Sequence, residues 1–483
     1  MPEFHVEHFG CRAARADGEA VSGRLRAEGL DEGVPAAADV VVVNTCSVTA
    51  EADRAARAFI RRTHRVNPEA RIVVTGCYAQ RAPEELSAMA GVAAVVGNSH
   101  KALAPEIVLG LAGGTGTSQN CDSIAQPDLV SLQTLVAGGA PIWADDRFAH
   151  SFIEEAQLVP GEQTRPNLKI QEGCGNRCTF CVIPQTRGSS RSLAHATVMH
   201  QVERFVQAGG NELVLSGINL GRWGRDLRDP DGFAGATLAG LVREIFAATA
   251  LPRLRLSSIE PMDWDAELIT LMAEFGGVRL ARHAHLPLQS GSDAVLRRMH
   301  RRYRPWHYAQ KVAALQKAAG PELTLGADVM VGFPGETDAE FNETMEMVRT
   351  LPFGYLHLFP FSPRPGTRGW TLHSESPVTP EAVAERMTAL RALAAEKSSA
   401  HRRRFVGQEL EAITLNTPAA LAARGRTAAL TENFLPIELD ETMTANRLLR
   451  VRIEALEADG TLAASEGSIP FPSGLTTVHS RGL

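Results

Sequence analysis

Short β-rich runs alternate with amphipathic stretches from the first residues of the chain. FHVEHF, DVVVVN, RIVVTG and VAAVVG read as strands, and residues 13–28, 50–66 and 83–90 read as helices. Such alternation implies right-handed βαβ units and a parallel sheet covered on both faces. Residues 110–160 break the pattern; GLAGGTGTSQN is rich in Gly, Ser and Thr, and the stretch reads as a linker. Its GGTGTS is no phosphate loop, because the Lys-Ser/Thr pair is missing. Alternation resumes over 161–400 with LKIQEG, ELVLSG, RLRLSSIE, HAHLPLQS, LTLGADVMVGF and YLHLFPFS. Helical stretches separate them, among them 194–208, 238–249, 306–319 and 339–349. Six βα units predict a partial TIM-like barrel with its chemistry at the carboxyl ends of the strands. Over 401–470 the runs QELEAITLN, RGRTAALTE, FLPIELD and RLLRVRIEAL predict a small all-β barrel. The expected class is α/β: a parallel βα domain (1–109), a linker (110–160), a partial (βα)6 barrel (161–400) and a small β-barrel (401–470).

Composition narrows this only a little. With 483 residues, 44% hydrophobic and 22% charged, the chain fits two or three globular cores and excludes a mostly disordered or fibrous protein. No uncharged apolar run approaches the ~18 residues of a membrane span. The start, MPEFHVEHFGC, lacks a basic segment followed by an apolar one, so a cytoplasmic protein without a membrane partner is expected. The net charge of −6 gives no global argument for nucleic acid. Only five of the 49 basic residues are Lys, and Arg suits phosphate and base edges, but a coding bias produces the same excess.

The seven cysteines carry more. Their odd number, without a secretory signal, argues against a disulfide framework and for metal or redox chemistry. Cys11, Cys46 and Cys77 each follow a predicted strand, and residues just past parallel strands collect along one sheet edge. Independent burial explains any one of them, but explains three at the same topological position poorly. Cys174, Cys178 and Cys181 stand as C-x3-C-x2-C after the first barrel strand. Zinc sites use paired C-x2-C units with four ligands, whereas three thiolates on a four-iron cluster leave one iron open. Cys121 has no partner nearby in sequence and reads as an idle thiol.

These residues resemble the radical S-adenosylmethionine (SAM) methylthiotransferase family, and the likeness spans nearly the whole chain. NTCSVT and TGCYAQ resemble its N-terminal domain, and EGCGNRCTFCVIPQTRG its radical core. HLPLQSGSDAVLRRMHRRY, DVMVGFPGETDAEF and FPFSPRPGT resemble later motifs, and LTENFLPIEL is similar to the RNA-binding TRAM domain. NTC-x-V-T and GCYAQ look most like the branch acting on N6-threonylcarbamoyladenosine beside the anticodon (position 37) of tRNA. Sister branches act on isopentenyladenosine in tRNA or on a ribosomal-protein aspartate. Readings from other classes are a non-catalytic iron–sulfur RNA-binding protein and a zinc-bearing structural protein. One departure is visible: the family's Asn three residues after the first cysteine is Ala14 here.

The resemblance implies two [4Fe-4S] clusters, one on Cys174, Cys178 and Cys181 that cleaves SAM, and one on Cys11, Cys46 and Cys77 that carries the sulfur. Ser216 and Gly217 after the second barrel strand, Glu260 after the third, Gln289 and Ser290 at the fourth and Asp328 on the fifth are candidates for SAM's polar groups. The alternative for each is a satisfied core polar residue. Candidate RNA contacts are Arg187 and Arg191, the run Arg297 to Arg304 with Arg301 and Arg302, and Arg403, with Tyr303 and Trp306 as stacking rings. The alternative for the charge run is a solvated helix face. Expected partners are tRNA, a flavodoxin-type reductant and a sulfur donor, with the chain a monomer.

Overall fold

The computed structural model describes residues 2–112, 139–152, 158–161, 165–228 and 236–467. Its contacts divide the chain into two units: Met1–Gln157 with Gln171–Leu193 and Ser362–Trp370, and Leu158–Ile170 with Ala194–Phe361 and Thr371–Leu483.

The first unit is built on a sheet of six strands: β1 (Glu3–His8), β2 (Asp31–Glu32), β3 (Val40–Thr45), β4 (Arg71–Gly76), β5 (Val92–Gly97) and β6 (Ile142–Trp143). They lie in the order β2-β1-β3-β4-β5-β6 and every pair is parallel. The run Val40 to Val43 is fully buried because a parallel sheet hides both faces. Alternate residues serve different cores: Val40 and Val42 pack with Val21 and Leu25 of the helix Arg12–Ala27, and Val41 and Val43 with Phe59 and Ile60 of the helix Ala50–Val66. Strand β6 comes from the stretch read as linker and adds an edge to this sheet.

Strands β7 (Asn167–Glu172), β9 (Glu212–Gly217), β10 (Arg253–Leu256), β11 (His283–His285), β12 (Thr324–Val331) and β13 (Phe353–Pro360) follow one another in the partial barrel. A bridge between Leu254 and Leu280 carries the pairing from the β10-β9-β7 sheet to β11-β12-β13. The short strand β8 (Arg191–Ser192) pairs antiparallel with the end of β7. The last part of the second unit is a closed barrel, β14 (Glu409–Thr414), β15 (Thr427–Thr431), β16 (Pro436–Leu439), β17 (Leu448–Leu456) and β18 (Leu462–Glu466), in the order β14-β15-β16-β18-β17. Leu439, Val451, Ile453 and Leu462 fill it. The α/β class with its partial and closed barrels is as the sequence predicts. Among the described residues no helix is long and apolar enough to cross a membrane.

Candidate active site

Adjacency in the first sheet brings its three cysteines together. Strands β1, β3 and β4 are neighbours and parallel, so Cys11, Cys46 and Cys77 leave the same edge. Cys46 and Cys77 are buried and Cys11 is exposed. Two glycines are required for this approach. Gly10 has φ 110°, and a Cβ there would lie 2.4 Å from Cys46 Cβ; Gly76 has φ 100°, and a Cβ would lie 2.3 Å from Thr45 O. Burial, and then the neighbouring Cys77 and Cys11, push the Cys46 thiol up to about 12. A bound cation reverses that preference, because coordination requires the thiolate.

The motif residues between the cysteines have local jobs. The Asn44 amide donates to Ala14 O, and Thr45 Oγ1 donates to Thr75 O. Thr49 caps the helix Ala50–Val66 by accepting from Ala52 N at 3.2 Å. Ala14 itself is buried, so the small residue at the departing position is packed against its surroundings. Gln80 accepts from Ser99 N at 2.9 Å and donates to Asp145 O at 2.7 Å, which fixes the turn after Cys77. From FPFSPRPGT, Arg364 Nη1 donates to Asp53 at 2.7 Å, and Arg81 reaches the same carboxylate at 2.8 Å.

Cys174, Cys178 and Cys181 are partly exposed on the loop after β7. Asn176 N donates to Cys174 Sγ at 3.4 Å, Cys181 N to Cys178 O at 3.1 Å, and Cys174 N to Gly188 O at 3.0 Å. Gly173 has φ 70°, and a Cβ there would sit 2.0 Å from Ser189 O, so only glycine lets the returning chain before β8 press against this loop. Cys121 lies outside the described residues.

The helix Ile183–Arg187 ends the same motif and belongs to the first unit. Arg187 is 0% exposed and its Nε donates to Cys77 Sγ at 3.2 Å. Asp17, Lys101, Glu172 and Arg187 form a buried ionic quartet, with contacts from 2.7 to 3.1 Å. Reading the sequence for charge runs misses Asp17, Lys101 and Glu172. The available signal was a charge on a buried stripe: Asp17 shares its helix face with Ala13, Ala16, Ala20 and Val21.

Several expectations are corrected by burial. Arg187 and Arg301 are not surface contacts for RNA: the first is spent as just described, and the second is buried against Glu260 and Tyr303. Tyr303 is 0% exposed and donates to Pro287 O and Leu288 O, so its ring is not offered to a base. Arg191 is partly buried and donates to Ser151 Oγ at 2.7 Å and Arg187 O at 3.0 Å. Arg302 keeps 45% of its side-chain surface, Arg403 is exposed and Trp306 is 51% exposed.

In the second unit, Ser216 at the end of β9 is buried with a hydroxyl that has no partner among the described residues, and so is Ser257 after β10. Gly217 is partly exposed beside Ser216. Gln289 has φ 62° and a buried Oε1 that is unpartnered among the described residues. Unsatisfied polar atoms at strand ends mark a place where a ligand supplies partners. Ser290 does not fit: it is 0% exposed and its hydroxyl is held between Thr344 Oγ1 and Ser292 N, each at 3.1 Å. Glu260 is paired with Arg301. Asp328 lies 3.2 Å from His285 Nε2, and His285 Nδ1 lies 3.0 Å from the Tyr355 hydroxyl. The ligand atoms of His285, Asp328 and His357 all lie within 4.8 Å of one another.

Residues 168–348 match the Radical SAM superfamily, and residues 3–97 match the uncharacterized protein family UPF0004. The fold is like that of a radical S-adenosylmethionine methyltransferase, TsrM, from Kitasatospora setae, with TM-score 0.54 over 74% of this chain and 75% of that one, at 15% identity. Fold and site define a radical SAM enzyme that carries a second cysteine triplet on a separate parallel sheet. The chain is 33% identical to a threonylcarbamoyladenosine tRNA methylthiotransferase MtaB of Aquifex aeolicus, over 92% of its own length and 99% of the relative's. It is also 33% identical to the MtaB of Bacillus subtilis, over 93% of each chain. To a tRNA-2-methylthio-N(6)-dimethylallyladenosine synthase of Parafrankia it is again 33% identical, over 85% of this chain and 77% of the other. The chain belongs to the radical SAM methylthiotransferases, most similar to the MtaB branch, and its cofactors are SAM and two [4Fe-4S] clusters. Two sets of three thiols, with N–H donors aimed at sulfur and glycines closing the backbone on it, fit those clusters.

Proposed function

We propose that this enzyme adds a methylthio group to C2 of N6-threonylcarbamoyladenosine at position 37 of tRNA. The likeness to MtaB relatives over more than nine-tenths of the chain carries the reading. Replacing an aromatic C–H offers no proton that a side chain can remove at neutral pH, so a cofactor must perform the difficult step. Cys174, Cys178 and Cys181 would hold the cluster that supplies the electron for reductive cleavage of SAM. Cys11, Cys46 and Cys77, on the domain 1–109, would hold the second cluster, which would supply the sulfur. Ser216, Gly217, Gln289 and Asp328 hold SAM, with Glu260 oriented by Arg301. Arg302, Arg403 and Trp306 meet the RNA, the second beside the small barrel at 401–470. A flavodoxin-type protein supplies electrons, a separate donor replenishes sulfur, and the enzyme works as a monomer.

Barrel polarity supports the threonylcarbamoyl substrate over the dimethylallyl one. His285, Tyr355 and His357 group together on β11 and β13 beside Asp328, and such residues suit a substituent with a carboxylate, a hydroxyl and a urea. A hydrocarbon would offer them no hydrogen bond. Nucleoside mass spectrometry of tRNA from a strain lacking the gene tests the proposal. The 2-methylthio derivative of threonylcarbamoyladenosine is expected to vanish while its precursor accumulates. Unchanged levels, or loss of the isopentenyl derivative instead, reject it.

A further inference from the structure

Arg187 stands outside both cysteine triplets yet touches one of them. Its planar guanidinium makes three hydrogen bonds from two of its three nitrogens. Nε donates to Cys77 Sγ at 3.2 Å, and Nη1 donates to Asp17 at 3.1 Å and Glu172 at 2.8 Å. Nη2 is buried and has no partner among the described residues. The two carboxylates are themselves held by Lys101, at 2.7 and 3.1 Å, so the plane of the guanidinium is clamped from behind. Asn98 adds a second donor to Cys77 Sγ at 3.3 Å and is tied to the Arg187 helix through Thr186 O at 2.9 Å.

Among the described residues the quartet sets two cations against two carboxylates. What it leaves over is directional: an N–H donor in a buried place beside the cysteine triplet. Thiolates and inorganic sulfides accept such bonds, and the number of N–H groups aimed at a cluster's sulfurs is one of the factors that set its potential.

We propose that Arg187 is a positioning residue for the group held by Cys11, Cys46 and Cys77, donating to the Cys77 thiolate through Nε and to inorganic sulfur through Nη2, and thereby raising its reduction potential. The inference rests on the reading that this triplet holds an iron–sulfur cluster. Reduction adds negative charge to the sulfurs, and a fixed cationic donor in a low-dielectric place favours the reduced form. Because Arg187 comes from the segment that also carries Cys174, Cys178 and Cys181, the loop of one cluster tunes the other.

The test uses the full-length chain with Cys174, Cys178 and Cys181 replaced by Ala, reconstituted without oxygen. About four irons per chain are expected in this parent; if it binds none, the cluster reading fails independently of Arg187. Into it are placed Arg187→Gln, Arg187→Lys and Asn98→Leu, and the midpoint potential is followed by electron paramagnetic resonance. A more negative midpoint is expected for Arg187→Gln, a smaller shift in the same direction for Asn98→Leu, and altered g-values for Arg187→Lys. A bound cluster with the parent's midpoint and g-values in both Arg187 variants overturns the proposal. Should the Arg187 variants lose iron, the thermal unfolding of the metal-free proteins decides. A transition matching the metal-free parent's supports a role at the cluster, and a lost transition overturns it in favour of a purely structural ion pair.

Discussion

The ring of Phe434 stacks on the imidazole of His283, with centroids 4.1 Å apart and planes 22° from parallel. Phe434 sits in the loop after β15, and His283 begins β11, so this pair ties the small closed barrel to the amino end of the partial one. Arg255 donates to Glu432 O and Thr431 O at 3.1 and 3.2 Å and lies 5.4 Å over the Phe434 ring. The contact holds Phe434 at φ 69°, a conformation costing an ordinary side chain about 1 kcal/mol or more. Truncating Phe434 to Ala is expected to destabilise the protein by about 2 kcal/mol, less than a fully buried Phe would cost. Phe434→Gly loses the same ring but relieves the backbone, so it should be no less stable than Phe434→Ala. Denaturant midpoints of the three proteins check this, and a Gly variant clearly weaker than the Ala variant contradicts the strain.

The proposed function gives the two triplets different work. Cys178→Ala is expected to abolish 5′-deoxyadenosine formation, while Cys46→Ala retains it but stops sulfur insertion. Product analysis by liquid chromatography separates the two, and equal loss of SAM cleavage in both variants contradicts the division.

Gly10→Ala should resemble Cys46→Ala although it removes no ligand. The added Cβ meets Cys46 Cβ and Sγ, at 2.4 and 2.7 Å, and φ 110° is strained for any L side chain. Iron content is expected to fall by about half, as one of two clusters is lost. Full iron loading would show that the loop relaxes around the methyl group.

His401 makes stability depend on pH. Burial lowers its pKa to about 4, with Arg404 and Arg402 adding to the effect, against the ordinary value of 6.5. The neutral ring lies 2.9 Å from Thr324 Oγ1. Above pH 6.5 the ring is neutral folded or unfolded. Between 6.5 and 4 only the unfolded chain takes the proton, so stability falls with pH, by about 3 kcal/mol in all if His401 acts alone. His401→Gln should flatten that part of the stability–pH curve, measured by urea unfolding between pH 4 and 7; an unchanged slope sinks the assignment.

Arg302→Glu and Arg403→Glu are expected to weaken tRNA binding without changing SAM cleavage in the absence of RNA. Each should also reduce the salt slope of binding by roughly one. Filter binding at several salt concentrations measures both, and an unaltered affinity removes the residue from the RNA surface.

The periodicity of the chain was enough to read the parallel sheet, the six-strand partial barrel and the small β-barrel. Strand faces repeat every two residues, and the turns between them are marked by Gly and Pro. Placement of Cys11, Cys46 and Cys77 after strands was likewise legible, because parallel strands deliver their ends to one edge. The charged residues were not. Arg187, Arg301 and Tyr303 look like surface groups in RGSSR and RRMHRRYR, yet each is buried with partners that local pattern does not reveal. Ser290 looked like its neighbour Gln289, but Thr344 claims its hydroxyl.

By itself the sequence determined the order of elements, the two groups of thiols and the chemistry they invite, because these follow from local spacing and from residue type. Only the tertiary structure decided which charges are consumed in the interior. Arg187 and Asp17 are 170 residues apart in the chain and 3.1 Å apart in space. A buried charge is tolerated only when opposite charges and donors surround it, and the chain supplies those from wherever folding brings them.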